Sequence, residues 1–243
     1  MLESGRHQIL RIVGAGGLAA LLGGLLAIIS PSDLSKAAPD LNGVTISGYA
    51  RIVDGDTLEI DKVRIRLEGI DAPEAGQTCS NASRRRWECG IAATRELADM
   101  TAGREVHCTG TEYDSYGRLI AICYVGSLEL NAEMVRRGLA WAFVRYSRRL
   151  AHVEADARKM RVGIWQGDNQ PAWSYRAEKW SAARSSAPSG CVIKGNLTNK
   201  GRIYHMPWSR FYDSVHIDPS RGERWFCSEG EARAAGWRPA YTN

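Results

Sequence analysis

The sequence predicts an α+β fold in which five strands and three helices form one domain. A hydrophobic segment precedes this domain, and a small cysteine-containing module follows it. Residues 44–67 largely alternate between apolar and polar side chains, which is typical of strands. Later stretches carry apolar residues at helical spacing, and an uncharged run of 18 residues lies near the N-terminus. A chain of 243 residues is long enough for one core and a smaller module, and its composition is that of a folded protein.

The N-terminal segment indicates export. Its uncharged run, Ile12–Ile29, follows Arg6 and Arg11 and can cross a bilayer with its basic end on the cytoplasmic side. A small-x-small site suits a cleaved signal peptide and the length of the run suits an anchor, so both stay open. A buried helix of a soluble protein is disfavoured by the five glycines in the run. We expect residues 1–42 to be this segment and a connector, and the rest to be exported to the periplasmic side, membrane-anchored or secreted.

Six cysteines predict disulfides rather than a metal site. Their number is even, the chain is predicted to leave the cytosol, and no C-x2-C pair suggests a structural zinc. Sequence alone does not fix the connectivity, but pairing of neighbours is the simplest scheme. The expected pairs are Cys79–Cys89, Cys108–Cys123 and Cys191–Cys227.

The chain is also basic, with a formal net charge of +5 and a pI near 8.9. This balance suits a polyanionic partner such as nucleic acid or an anionic membrane surface. A solvated basic surface explains it equally well, so charge alone does not choose a function.

Residues 43–167 are predicted to form the main domain, which begins with a β-meander. Val44–Val53 alternates, and Thr57–Ile60 and Val63–Leu67 flank the two-residue turn Asp61-Lys62. The later predicted elements are a helix over 91–102 capped by Gly103, strands Glu105–Thr109 and Leu119–Val125, and helices Leu130–Ala142 and Arg149–Arg161.

The C-terminal part changes in character. Residues 168–189 are rich in Ser, Ala and Arg and predict a linker with one possible helix, Ala172–Arg184. Residues 190–243 are rich in aromatic side chains and form a module so small that a cross-link is expected. A Cys191–Cys227 disulfide would contribute roughly 3 to 5 kcal/mol to its stability. A metal site formed by the two cysteines with His205 and His216 is the disfavoured alternative.

Acids and arginines in the main domain match the demands of phosphodiester cleavage. A divalent cation prefers carboxylate oxygens, and guanidinium groups hold the charge that develops on phosphate oxygens. Each motif alone has an ordinary explanation, since Asp-Gly and Tyr-Gly-Arg are common turns and Asp-Ala-Pro-Glu can simply end a strand. The candidates are Asp54, Asp56, Asp71 and Glu74 with Arg66 and Arg118.

Taken together and in order, five motifs resemble the thermonuclease family, whose type member is staphylococcal nuclease. The resemblance covers about residues 44–167, roughly half of the chain. The motifs are Val53-Asp-Gly-Asp-Thr57, Ile65-Arg-Leu-Glu-Gly-Ile-Asp-Ala-Pro-Glu74, Tyr113-Asp-Ser-Tyr-Gly-Arg118, Asn131-Ala-Glu-Met-Val-Arg-Arg-Gly-Leu-Ala140 and Gly163-Ile-Trp165.

The resemblance implies a five-stranded Greek-key barrel of the OB type with three helices. It also implies calcium-dependent hydrolysis of DNA and RNA that breaks the bond to the 5′ oxygen and leaves 3′-phosphates. Calcium would be held by Asp56, Asp71 and the backbone carbonyl of Ala72, which stands where the family has threonine. Asp54 would not bind the metal directly but would lie next to these ligands and add negative charge near the metal.

By the same resemblance, Glu74 would be the general base, and Arg66 and Arg118 would clamp the phosphate. One departure from the family is the insertion 75–87, which carries Cys79 and three consecutive arginines. A disulfide there would rigidify the loop beside the site or narrow access to it.

Substrate contacts and partners are expected as follows. Tyr116, Phe143 and Tyr146 can stack on bases, whereas the basic run 148–161 either tracks the nucleic-acid backbone or is a solvated helix face. We expect a monomer with no protein partner, bound to the membrane only through residues 12–29 if they are not cleaved. The alternative function is a catalytically weak nucleic-acid-binding or envelope-binding module.

Overall fold

The computed structural model of this chain describes residues 43–240. The predicted signal peptide or anchor in residues 1–42 therefore lies outside the described residues. None of the helices in the described range combines the length and the apolar character that a bilayer span requires.

The main sheet is a curled ladder with the order β1-β8-β9-β4-β3-β2 and β10 beside β9. Consecutive strands β1 and β2 lie at opposite edges of this ladder with only Ala50 between them, so the sheet curls until its edges approach each other. This half-barrel with three helices confirms the predicted α+β class. The strands of this region are β1 (Val44–Tyr49), β2 (Arg51–Ile52), β3 (Thr57–Ile60), β4 (Val63–Leu67), β5 (Ile70–Asp71), β6 (Cys79–Ser80), β7 (Arg86–Trp87), β8 (Glu105–Tyr113), β9 (Leu119–Val125), β10 (Leu128–Glu129) and β11 (Trp141–Ala142).

The predicted meander is confirmed with one difference. Asp61 and Lys62 both have positive φ, 48° and 70°, as the predicted two-residue hairpin turn requires. The segment predicted as one strand, Val44–Val53, is divided at Ala50 into β1 and β2, because the chain crosses there from one edge of the sheet to the other.

The helices of this region pack against the sheet in one hydrophobic core. Their bounds are α1 (Cys89–Thr101), α2 (Leu130–Arg136) and α3 (Ala151–Met160). Leu97 of α1 and Leu130 of α2 lie in one core with Leu58 and Ile65, and all four are fully buried. The core therefore fixes the strand ends that carry the candidate site.

The prediction of one helix over Leu130–Ala142 was wrong in its second half. α2 ends at Arg136 because Gly138 adopts a φ of 64°, a left-handed conformation that terminates helices. Trp141 and Ala142 then form β11, which pairs with Asp71 and Ile70 of β5. This pairing brings the segment that follows, including Phe143, to the candidate site.

The segment predicted as a linker contains a helix of 15 residues, α4 (Ala172–Ser186). Its Trp173 stacks on Phe143 with 5.5 Å between ring centroids, and its Trp180 lies 5.9 Å from the ring of Trp208. The Tyr175 hydroxyl donates to the carbonyl of Gly76 at 3.0 Å. Helix α4 is therefore packed between the main domain and the C-terminal module.

The C-terminal module is a small four-stranded sheet with one short helix. The sheet order is β14-β12-β13-β15, and Tyr204, Phe226 and Trp237 are buried in its core. A Cβ on Gly195 would lie 2.5 Å from the Phe226 ring. Only glycine therefore fits at this position of β12, where the strand packs on the core. Its elements are β12 (Ile193–Thr198), β13 (Gly201–His205), β14 (Arg224–Phe226), α5 (Glu229–Ala234) and β15 (Arg238–Pro239).

The six cysteines form three disulfides, and their pairs are Cys79–Cys89, Cys108–Cys123 and Cys191–Cys227. The alternative metal site of the module is wrong, because the disulfide takes both of its cysteines. His205 instead lies within 3.0 Å of the Asn196 side-chain oxygen, and His216 is exposed.

Candidate active site

The acids of the site stand on two turns that the sheet brings together. Asp54 and Asp56 lie in the turn between β2 and β3, where the Asp54 carboxylate accepts from the Asp56 amide at 3.1 Å. A Cβ on Gly55 would approach the side chains of Ala93 and Ala72 to 2.7 and 2.8 Å. The turn therefore needs glycine because it is pressed against α1 and against the chain that follows β5.

Asp56 is buried and fully hydrogen-bonded. One carboxylate oxygen accepts from Arg66 at 2.7 Å and from the Thr57 hydroxyl at 3.0 Å, and the other accepts from the Ala72 amide at 3.0 Å. Burial alone would raise the pKa of Asp56, but Arg66 and the Ala72 amide together hold it below its ordinary value. Asp56 is thus a carboxylate at neutral pH.

Arg66 connects the two turns. It pairs with Thr57 across β3 and β4, which places its guanidinium beside Asp56. The same group donates to Asp71 at 2.9 Å, and Asp71 is wholly buried at the end of β5. Arg66 therefore neutralises two carboxylates that would otherwise repel each other.

Arg176, a residue that the sequence did not single out, completes this cluster. Its guanidinium donates to both oxygens of Asp71, at 3.1 and 2.9 Å, and to Glu74 at 2.7 Å. Arg176 lies on α4, 105 residues from Asp71. Nothing in its local sequence distinguishes it from the other arginines of the segment.

Glu74 stands where the chain leaves β5. A Cβ on Gly90 would lie only 1.7 Å from the Glu74 carbonyl oxygen, so the first turn of α1 is packed directly on the Glu74 backbone. Burial raises the pKa of the Glu74 carboxyl to about 8, against the opposing charge of Arg176. The Glu74 carboxyl is therefore mostly protonated at neutral pH in this arrangement, and once ionised it is a stronger base than an ordinary glutamate.

Asp54 is the outlying acid of the group. Burial and the charge of Asp56 raise its pKa to about 6. Its carboxylate shapes the turn, and its charge contributes to the raised pKa of Glu74.

Arg118 is oriented separately from the acids. Its Nε donates to Asp114 at 2.7 Å, and its Nη1 reaches the Thr57 hydroxyl at 3.5 Å. Its guanidinium also lies 5.3 Å from the ring centre of Tyr116. Arg118 therefore faces the acids across the site with a guanidinium edge that a substrate can use.

A cavity of about 590 Å³ joins these groups. Asp54, Asp56, Arg66, Glu74 and Arg118 line it, whereas Asp71 and Ala72 lie behind its wall. The three aromatic residues expected to contact bases line the cavity as well, and the module supplies further walls. The aromatic residues are Tyr116, Phe143 and Tyr146, and the module contributes Tyr204, Met206 and Trp208.

The insertion 75–87 forms a short hairpin of β6 and β7 beside this cavity. The Cys79–Cys89 disulfide ties the hairpin to the first residue of α1. The three inserted arginines are exposed, and the cavity-lining residues do not include them. The insertion therefore braces the chain around Glu74 without adding charge to the cavity.

The cluster suits a hard divalent cation by its donors, because carboxylate and carbonyl oxygens are what calcium prefers. It already holds two positive groups, the guanidinium of Arg66 between Asp56 and Asp71 and that of Arg176 between Asp71 and Glu74. In this arrangement both oxygens of Asp71 are engaged, and no three acidic, His or Cys side chains within residues 43–240 are set as a ready metal site. A cation that approaches Asp71 therefore meets the positive charge of Arg176.

Comparison with known proteins divides the chain in two. Residues 64–167 match the family model described as staphylococcal nuclease homologue, and residues 174–239 match the model described as ArfC. Arg176 and the cavity walls from the module thus lie in the second match, outside the first.

Three relatives resemble the first half. A micrococcal nuclease of Shigella flexneri is 36% identical over 144 residues, which are 52% of this chain and 77% of that protein. An uncharacterized endonuclease of Escherichia coli O157:H7 is 34% identical over 53% of this chain and 83% of its own length. A staphylococcal-like nuclease of Arabidopsis thaliana is 33% identical over 56% of this chain and 40% of its own length.

Proposed function

The chain belongs to the staphylococcal nuclease family and is a nuclease, and from this premise we propose that it hydrolyses DNA and RNA in a calcium-dependent reaction that leaves 3′-phosphates. The observation that carries the proposal is the convergence of Asp56, Glu74, Arg66 and Arg118 on one cavity, with Asp71 directly behind them.

In the proposed reaction, the residues of the chain bind the phosphate and move one proton. Arg66 and Arg118 donate hydrogen bonds to the phosphate oxygens, and Arg118 also reaches the leaving 5′ oxygen. Glu74, once ionised, accepts the proton of the attacking water, and its raised pKa makes this carboxylate a stronger base. Calcium, when held by Asp56, Asp71 and the Ala72 carbonyl, would supply positive charge that stabilises the phosphorane-like transition state.

The aromatic residues that line the cavity favour a single-stranded substrate. Stacking on aromatic rings holds unpaired bases without reading their sequence, which agrees with cleavage of both DNA and RNA. Tyr146 is three-quarters exposed at the cavity mouth, and Phe143 is held beneath it at 4.8 Å between ring centroids. We therefore propose that the bases adjacent to the scissile phosphate stack on the rings of Phe143 and Tyr146.

The proposed location is the cell envelope or the exterior. The six cysteines are all paired in disulfides, a state that persists in oxidising compartments. The uncharged run 12–29 supports export as a signal peptide or an anchor. Cell fractionation tests this proposal, and recovery of the protein in the cytosol with six free thiols would contradict it.

The decisive experiment for the activity compares hydrolysis of DNA and RNA with calcium and with EDTA. Glu74→Gln removes the base and should lower kcat by about 10²- to 10⁴-fold. Arg118→Ala removes a phosphate donor and should cost about 10²- to 10³-fold. Arg184→Ala is the matched control, because Arg184 is exposed on α4.

Product ends complete this experiment. Fragments with 5′-hydroxyl ends accept a labelled phosphate from polynucleotide kinase without prior dephosphorylation, as cleavage of the bond to the 5′ oxygen requires. Full activity in EDTA would exclude the calcium requirement, and full activity of the Glu74 and Arg118 variants would exclude the assigned roles.

One observation favours a second candidate function, a catalytically weak nucleic-acid-binding protein. Arg176 occupies the acidic cluster and both oxygens of Asp71 are engaged. Under this alternative, the native protein would bind single strands at all calcium concentrations but release no acid-soluble nucleotides.

A further inference from the structure

Arg176 reaches the active site from outside the family domain. It lies on α4, within the segment that matches a different family model. Its side chain makes three hydrogen bonds to two acids of the site and is less than one-quarter exposed. Hydrogen bonds between a guanidinium and carboxylates are among the strongest in proteins. The contact therefore stabilises one specific arrangement of Arg176, Asp71 and Glu74.

The helix holds Arg176 in place from both sides. Trp173, Arg176 and Trp180 are spaced three and four residues apart and share one helix face. Trp173 packs on Trp141 and Phe143, and Trp180 packs on Trp208 of the module. The guanidinium is thus presented to the acids by two aromatic anchors.

The position of this guanidinium conflicts with a cation at the same acids. Asp71 is proposed to hold calcium, yet both of its oxygens accept from Arg176. A cation bound to Asp71 would lie beside this guanidinium, and their like charges would repel each other at that distance. Binding of either one at Asp71 therefore disfavours the other.

We propose that Arg176, which bonds Asp71 and Glu74, is a further residue of the active site that competes with the divalent cation for Asp71 and so sets the calcium concentration at which the enzyme works. The inference rests on the calcium-dependent hydrolysis proposed above. Arg176 acts through the cation site and is a positioning residue: it holds the two acids in the metal-free enzyme and releases Asp71 when calcium binds.

Removal of the competitor should tighten calcium binding. Arg176→Ala leaves Asp56, Asp71 and Glu74 with less compensating charge, so their mutual repulsion also favours a cation. We expect the calcium Kd of Arg176→Ala to fall about tenfold or more below that of the unaltered protein. Arg176→Lys should give an intermediate Kd, because one ammonium cannot reproduce the planar fork across three oxygens.

The measurement is calorimetric titration of the metal-free protein with calcium alone, and Arg184→Ala is the control with unchanged Kd. In the unaltered protein, the Nε–H NMR signal of Arg176 should shift as calcium is added, which tests the displacement even if a variant folds poorly. Tighter binding by the variant together with this shift supports the proposal.

Two other results would overturn it in distinguishable ways. Equal calcium affinity of the Arg176→Ala variant and the unaltered protein would refute competition and leave the calcium site standing. No calcium binding by either protein would refute the calcium site of the proposed function, and the competition with it.

Discussion

Arg66 is the residue on which the geometry of the acids depends most directly. Among residues 43–240 it is the one arginine that bonds both Asp56 and Asp71, and these carboxylates are almost wholly buried. The remaining donors to Asp71 come from Arg176, which is proposed to leave when calcium binds. Arg66 is thus expected to stabilise the fold as well as to bind phosphate.

Arg66→Met should therefore lower both the stability and the activity of the protein. The loss of one partner from a buried ion pair leaves uncompensated charge, and we expect a loss of about 3 kcal/mol in the free energy of unfolding. Urea denaturation measures it. Calcium should restore part of the loss, since it would supply the missing positive charge, and an unchanged denaturation midpoint would contradict this account.

The predictability of single residues from sequence depended on how local their contacts are. Asp56, Arg66, Asp71 and Glu74 lie within nineteen positions of one another in recognisable motifs, and the structure brings them together. Arg176 could not be predicted, because its contact with Asp71 spans 105 residues and depends on the packing of α4.

Among the elements, local turn chemistry decided which predictions held. The hairpin at Asp61-Lys62 was predicted from its length and is present with both residues at positive φ. The helix from Leu130 was extended too far, because the apolar spacing continues through Gly138 although the backbone there ends the helix. Apolar periodicity therefore predicts where a helix lies better than it predicts the residue at which the helix ends.

Strand β13 carries the group that should make the module sensitive to pH. His205 is buried, one of its ring nitrogens lies 3.0 Å from the Asn196 oxygen, and the other has no partner among the described atoms. Burial and the nearby charge of Lys194 lower the pKa of His205 from 6.5 to about 4. The folded module thus holds the neutral ring.

The sign of the resulting pH dependence follows from this shift. Between pH 6.5 and pH 4 the unfolded chain binds a proton that the folded module does not, so stability falls as the pH is lowered through this window. The loss should reach about 3 kcal/mol at most. Tryptophan fluorescence during urea unfolding at pH 7 and pH 4.5 measures it, and His205→Gln should flatten the dependence. An unaltered slope in this variant would assign the pH dependence to other groups.

At the scale of the whole molecule, the module is fastened across the cavity to the family domain. Arg233 of α5 donates to the carbonyl of Tyr116 at 2.8 Å and to Glu229, and Glu229 lies 3.8 Å from Arg64 of β4. These contacts hold the far wall of the cavity beside the Arg118 loop. We expect this wall to limit the width of the substrate that can enter the cavity.

Arg233→Ala should loosen this wall. We expect the ratio of duplex to single-strand cleavage rates to rise roughly two- to tenfold, which corresponds to about 0.4 to 1.4 kcal/mol in relative barrier height. Paired assays on one sequence in both forms measure the ratio. Arg221→Ala, at an exposed position of the same module, is the control, and a ratio unchanged in both variants would show that the wall does not select substrates.

The three disulfides each close within one part of the molecule: two within the family domain and one within the module. No described cross-link joins the two parts, and α4 is the covalent connection between them. In evolutionary terms, a nuclease gene could acquire or lose this extension at α4 without rearranging any cysteine pairing. The same exchange would bring or remove Arg176, so a single fusion event would alter the shape of the active site and, under the competition proposed above, its affinity for calcium.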